Sequence, residues 1–199
     1  MNILAHALLA APDADRMFGS LIGDFVRGAI DPTLPPGVRS GVALHRSIDT
    51  YTDAHADVAA ARALFVPPFR RYAGILLDVW FDHLLARQWV RYGEGALEEF
   101  SDNVRALLAL NRARVPERMR AFVAYLGAHD LPAAYRETAM VGDVLRGMSR
   151  RLSRANPLED ALPVLVALHA PLQRCFDVFF PALRNFAAME CIRLADSAP

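Results

Sequence analysis

Residues 78–83 read Asp-Val-Trp-Phe-Asp-His, three potential metal ligands inside one of the most apolar stretches of the chain. Asp78 and Asp82 stand among Ile75, Leu76, Leu77, Trp80, Phe81, Leu84 and Leu85. Carboxylates in such surroundings cannot stay charged and unpaired without a large desolvation cost, and a cation is the most economical compensation. Helical spacing sorts the partners. His45 and Asp49 are four apart, as are Asp78 and Asp82, so each pair shares one helix face. His83 lies one step further, about 100° around the helix, and reads as a ligand at the edge of the site or a general acid beside it. His6 and Asp24 belong to separate N-terminal segments that would have to pack against the other two. Four segments converging through His and Asp side chains is how a helical metallohydrolase is built. The donors are imidazole nitrogen and carboxylate oxygen without thiolate, which favours Mn²⁺, Mg²⁺ or Fe²⁺ over a structural zinc site. Such an ion can acidify water and neutralise charge on a phosphoryl oxygen.

Simpler readings compete with this one. His6 in an apolar segment also fits a hydrogen-bonded core histidine, and residues 45–49 fit an exposed, salt-bridged helix face. Asp53, His55 and Asp57 read mainly as a solvated helix end or cap. Asp78 and Asp82 are harder to dismiss because their neighbours are so apolar.

The elements that must position these groups are helices. Alternating Val/Ile/Thr runs are few and there is no Asn-Gly hairpin turn, whereas 3.6-residue periodicity is widespread. Asp13 or Asp15 caps a predicted helix running to Gly28, with Leu21, Ile22, Phe25 and Val26 on its buried side. Pro35-Pro36 suits the first turn of a second helix reaching about Val58. After the Pro67-Pro68 break a long helix is predicted from Phe69 to Arg91, ended by Gly93 and Gly95. Shorter helices follow at 96–111, 116–129, 132–154, 158–170 and 172–195, with Pro163 in or near a first turn, Pro171 at a boundary and Pro181 kinking or breaking the last segment. The expectation is one all-α domain over residues 1–199.

Composition bounds the function. The 199 residues are 54% hydrophobic, enough for one sizeable core. No apolar run approaches the roughly 18–20 residues that span a bilayer. The opening Met-Asn-Ile-Leu-Ala-His-Ala-Leu-Leu-Ala-Ala lacks a basic flank and carries His6, so it reads as a structural segment rather than a signal core. Cys175 and Cys191 sit in apolar helical sequence and read as reduced core thiols, which points to the cytoplasm. Net charge is zero, with 22 basic and 22 acidic residues, so no global field favours nucleic acid or an anionic membrane. Every basic residue other than histidine is arginine, so any cationic phosphate contact is a guanidinium.

Several blocks then carry a family resemblance. Asn2-Ile3-Leu4-Ala5-His6, Gly19-Ser20-Leu21-Ile22-Gly23-Asp24-Phe25-Val26-Arg27-Gly28, Leu44-His45-Arg46-Ser47-Ile48-Asp49 with Thr52-Asp53, and Asp78-Val79-Trp80-Phe81-Asp82-His83-Leu84-Leu85 stand in order. Leu145–Arg151 and Phe179-Phe180-Pro181 continue the match. Together they resemble the acyl carrier protein phosphodiesterases, a family thought to diverge from the all-helical HD-type metal-dependent phosphohydrolases. Ser20, Ser47, Leu8 and Gln88 depart from the family pattern, while His6, His45, His83 and the candidate carboxylates are retained. The resemblance implies hydrolysis of the phosphodiester joining 4′-phosphopantetheine to a serine of acyl carrier protein, with Mn²⁺ as the favoured ion. It places His6, Asp24, Asp78 and Asp82 in the metal shell, and His83, His45 and Asp49 as catalytic or supporting groups.

An acidic carrier protein needs a positive docking face. Arg112, Arg114, Arg118 and Arg120 form one candidate; Arg146, Arg150, Arg151 and Arg154 form the favoured one, with Arg46 as a further substrate contact. Two alternatives stand beside this reading. One is a phosphohydrolase of a nucleotide or other small phosphodiester; the other is a non-catalytic helical module that binds an acidic partner.

Overall fold

A computed structural model describes residues 3–196; Asn2 of the opening block lies outside them. Among the described residues there are eleven α-helices, four 3₁₀ turns and no strand, so the all-α expectation holds. The helices are α1 (Ile3–Ala10), α2 (Ala14–Ile22), α3 (Pro36–Ala54), α4 (Ala56–Ala63), α5 (Ala73–Arg87) and α6 (Trp89–Tyr92), then α7 (Leu97–Leu110), α8 (Glu117–Ala128), α9 (Thr138–Arg151), α10 (Leu162–Ala167) and α11 (His169–Asp196). No helix is long and apolar enough to cross a membrane.

Two helices form the centre. In α1 every residue but Leu8 is buried, and α5 buries Leu76, Leu77, Val79, Trp80, Phe81, Leu84 and Leu85. A helix apolar on all sides needs neighbours on all sides; α1 has α2, α3, α5 and α11 around it. The α11 wall is aromatic: Phe176 stacks on Phe180 at 4.9 Å, and Phe81 of α5 lies 5.5 Å from Phe176. That buried face, with Phe179 and Leu183, accompanies a helix that continues through Pro181 without the break that was one of the two expectations there.

The closest pairing is α2 on α3, and glycine permits it. A Cβ on Gly19 would stand 2.1 Å from the Val38 carbonyl oxygen, and one on Gly41 would stand 2.1 Å from that of Arg16. Without side chains at these two positions the backbones touch directly. That contact sets the distance between Ser20 on one helix and His45 on the other.

Several predicted helices are shorter than expected. The helix expected to reach Gly28 stops at Ile22 and tightens into a 3₁₀ turn over Gly23–Phe25. The one expected to reach Val58 breaks at His55, whose extended backbone and Nδ1, accepting from the Asp57 N–H at 3.3 Å, start α4 instead. Residues 69–91 divide into a 3₁₀ turn over Arg70–Tyr72, then α5 and α6. The expected 132–154 helix divides at Glu137, whose backbone is extended. Pro36 opens α3 as expected.

Candidate active site

His45 projects from the middle of α3 into the α2–α3 contact. Its Nδ1 lies 2.8 Å from the Ser20 carbonyl oxygen, which fixes that nitrogen as the N–H donor and leaves Nε2 to face the site. Nε2 stands 3.1 Å from Asp49 Oδ2, one turn along α3, and 3.2 Å from Asp24 Oδ1 on the 3₁₀ turn. Gly23 makes room for the ring, because a Cβ there would lie 2.2 Å from His45 Cγ.

His6 comes in from α1 and stacks on His45, ring centroids 3.8 Å apart and planes 18° from parallel. Its Nε2 is 3.3 Å from Asp49 Oδ1, yet neither ring nitrogen has an aligned hydrogen bond, although both are buried. A buried imidazole left this way has lone-pair capacity to give. One ligand atom each from His6, His45 and Asp49 lies within 4.8 Å of the others, a group that could hold a metal ion. A void of about 20 Å³ borders His6, His45 and Asp24, room for one water or one ion. The residues therefore fit a divalent cation.

The charges are interlocked. Burial works against a charged His45, but the carboxylates of Asp24 and Asp49 outweigh it and push the imidazole up to about 9. Burial and the charge of His45 push His6 down to about 4. Asp49 is held well below the usual carboxylate range, since its bond to His45 and its close approach to the His6 ring overcome burial. The hydrogen bond from His45 likewise depresses Asp24.

Asp24 also belongs to an open cleft of about 320 Å³, whose walls include Asp78, Phe25, Phe122, Met148, Leu152 and Arg151. Asp24, Phe25 and Phe122 border both cavities, so the cleft adjoins the void beside the histidine pair. Arg151 is the cationic side chain on its wall, with Nε donating to the Gly147 carbonyl at 3.1 Å. Burial raises the Asp78 carboxyl above its ordinary range.

Of the seven groups that the sequence singled out, the structure gathers His6, His45, Asp49 and Asp24. Asp78 faces the adjoining cleft. Asp82 is turned elsewhere: its two carboxylate oxygens accept the backbone N–H groups of Leu4 and Ala5 at 2.7 and 3.1 Å. These are first-turn donors with no partner inside α1, so a fully buried carboxylate is compensated by a helix end as well as by any cation. Burial still lifts its pKa to about 7. His83 is also buried, with Nδ1 2.7 Å from the Tyr135 carbonyl oxygen and its ring against Trp80. Arg46 donates to the Val26 carbonyl at 2.9 Å, which closes the loop after the Asp24 turn. Arg146 pairs with Asp143 at 2.6 Å, while Arg150 is exposed without an ion pair among the described residues. Asp53 pairs with Arg62, and His55 caps α4.

Sequence reasoning missed Phe122 and the carbonyl of Ser20. No local pattern marks an α8 aromatic as part of a site in the N-terminal half. Gly19 and Gly41 are the sequence signal for the close helix crossing, and Gly23 for the room beside the His45 ring.

Fold and site together define an all-helical protein with a His/carboxylate cluster beside an open, arginine-bordered cleft. The family profile described as acyl carrier protein phosphodiesterase matches residues 1–183. Proteins named acyl carrier protein phosphodiesterase are similar along nearly their whole length. The one from Yersinia pestis is 33% identical over 188 residues, 94% of this chain and 97% of its own. That from Escherichia coli O157:H7 (strain EC4115 / EHEC) is 34% identical over 193 residues, 96% and 100% of the two chains, and that from Pectobacterium atrosepticum is 32% identical over 188. This chain belongs to the acyl carrier protein phosphodiesterase family. No solved structure gives a significant match.

Proposed function

We propose that this protein is a phosphodiester hydrolase that cleaves 4′-phosphopantetheine from the serine of holo-acyl carrier protein, in the cytoplasm and with a divalent cation, Mn²⁺ foremost. The observation that supports it best is the cleft itself. It offers about 320 Å³, is bordered by one guanidinium, and shares Asp24, Phe25 and Phe122 with an ion-sized void among nitrogen and oxygen donors.

His6, His45 and Asp49 would hold the ion, with Asp24 closing the set on the cleft side. The ion would supply Lewis-acid polarisation of a phosphoryl oxygen. Asp24, which borders both void and cleft, would take a proton from the attacking water. Arg151 would bind the phosphoryl group and stabilise its added charge. Asp78 would return a proton to the departing serine oxygen, and burial favours the protonated form this requires. The phosphorus–serine oxygen bond breaks and the water oxygen takes its place, giving apo-protein and phosphopantetheine. Asp82 and His83 are reassigned: Asp82 holds α1, and with it His6, in position, and His83 ties α5 to the turn at Tyr135.

Holo-carrier protein incubated with enzyme, chelator and single divalent ions, then weighed by mass spectrometry, tests the activity. Mass loss of the phosphopantetheinyl group only with added ion is the expected result. Asp49→Ala should abolish metal uptake and turnover with the helical signal intact. Asp82→Ala should retain metal stoichiometry while losing about 2–4 kcal/mol of stability, because two buried N–H groups lose their acceptor. Full turnover by Asp49→Ala, or unchanged stability of Asp82→Ala, would overturn the respective assignment.

A further inference from the structure

Helix α11 is the longest element of the fold at 28 residues, and one of its faces is bare. Val178, Met189 and Ile192 on that face are 62%, 65% and 64% exposed. Arg174, Asn185 and Asp196 are exposed as well. At 100° per residue all six fall within about 40° of a line through Asn185. Buried face and bare face do different things: Glu190, on the inner side, accepts from the Ser47 hydroxyl of α3 at 2.7 Å.

The chemistry of the stripe is palindromic about Asn185. Arg174 and Asp196 each lie eleven residues from it, and Val178 and Ile192 each lie seven. Met189, four residues after it, answers the small half-buried Ala182, three before it. Neither Arg174 nor Asp196 has an ion-pair partner among the described residues.

We propose that α11 pairs antiparallel with α11 of a second copy of this chain about a two-fold axis at Asn185. In that arrangement Arg174 meets Asp196 of the second copy twice, Val178 packs on Ile192, and Met189 covers Ala182. Asn185 meets itself, and an amide can donate to and accept from its own copy. Self-complementarity of this kind is what a two-fold interface demands. A parallel pairing would set Arg174 on Arg174 and Asp196 on Asp196. A shift of one heptad would press Asn185 against Val178 or Ile192, with no partner for its amide and no charge pairing at the ends. The charges and the asparagine therefore select one register. The inference is independent of the catalytic reading.

Sedimentation velocity of the full chain over a concentration series at low salt tests it, with circular dichroism to confirm folding of each variant. A concentration-dependent dimer is expected. Arg174→Asp should weaken it about tenfold, since two pairs turn from attractive to repulsive at once, and Arg174→Asp with Asp196→Arg should restore it. Asn185→Cys should form a disulfide-linked dimer on oxidation where the wild type does not. A chain that stays monomeric at every concentration overturns the proposal. So does a dimer indifferent to Arg174→Asp, which would use another face or another partner chemistry.

Discussion

His45 holds the site together through charge as much as through geometry. Its imidazole, raised to about 9 by Asp24 and Asp49 against the opposition of burial, is protonated at neutral pH in the metal-free protein. A group whose folded pKa exceeds its unfolded one contributes its full stability below the unfolded value, about 6.5 for histidine, and loses it as pH rises through the folded value. The metal-free protein should therefore lose on the order of 2–3 kcal/mol between pH 6.5 and 9 from this residue. Urea titrations on either side of that window should show it, and His45→Gln should flatten the slope. Ion uptake near pH 7.5 should release a proton, measurable in weakly buffered solution, because the ion needs the neutral imidazole. An equally steep slope in His45→Gln would assign the titration to another group. Part of this was legible in the sequence: the four-residue spacing of His45 and Asp49 placed them on one face. The carbonyl that orients the ring was not, since nothing in a side-chain sequence marks a backbone acceptor 25 positions away.

At the scale of elements, the breaks written in proline and glycine were readable, whereas those at His55, which caps with its side chain, and at Gln88 and Glu137, which do not, were not. Pro36 opens α3 and glycine follows α6, as the sequence indicates. His55, Gln88 and Glu137 interrupt helical periodicity without interrupting apolar pattern, so the 3.6-residue signal ran on across them. The α2–α3 crossing, which decides where Ser20, Asp24 and His45 meet, was marked only by Gly19 and Gly41. Gly19→Ala and Gly41→Ala should each destabilise by about 1–3 kcal/mol, because the added methyl meets rigid backbone and the helices must separate. Gly23→Ala should behave differently. Its methyl would meet the buried His45 side chain, Cγ at 2.2 Å and Cβ at 2.7 Å, so thermal stability should fall as well and metal affinity should fall at least tenfold, about 1.4 kcal/mol. Equal losses of melting temperature in all three, with metal affinity unaffected, would separate the crossing from the site.

For the whole molecule, balanced charge conceals an uneven distribution. Arg146, Arg150, Arg151 and Arg154 all lie in the C-terminal half of α9 or just beyond it, and Arg151 lines the cleft. Their roles divide by neighbours. Arg146 is compensated by Asp143, Arg151 faces the cleft, and Arg150 points to solvent with no ion pair among the described residues. An exposed charge acts on an acidic protein mainly through encounter, over a Debye length of about 8 Å at physiological ionic strength. Arg150→Glu should therefore raise KM for the carrier protein several-fold at low salt, leave kcat within about twofold, and converge on the wild type as salt increases. Arg151→Glu should lower kcat as well, at every ionic strength, if the guanidinium has its proposed role of stabilising charge that develops on the phosphoryl group. Steady-state kinetics over a salt series separates the two. If KM of the wild type is indifferent to salt and Arg150→Glu is silent, the carrier protein docks elsewhere, and the exposed arginines of residues 112–120 become the surface to test. If Arg151→Glu changes KM alone, that arginine belongs to docking rather than to the chemical step.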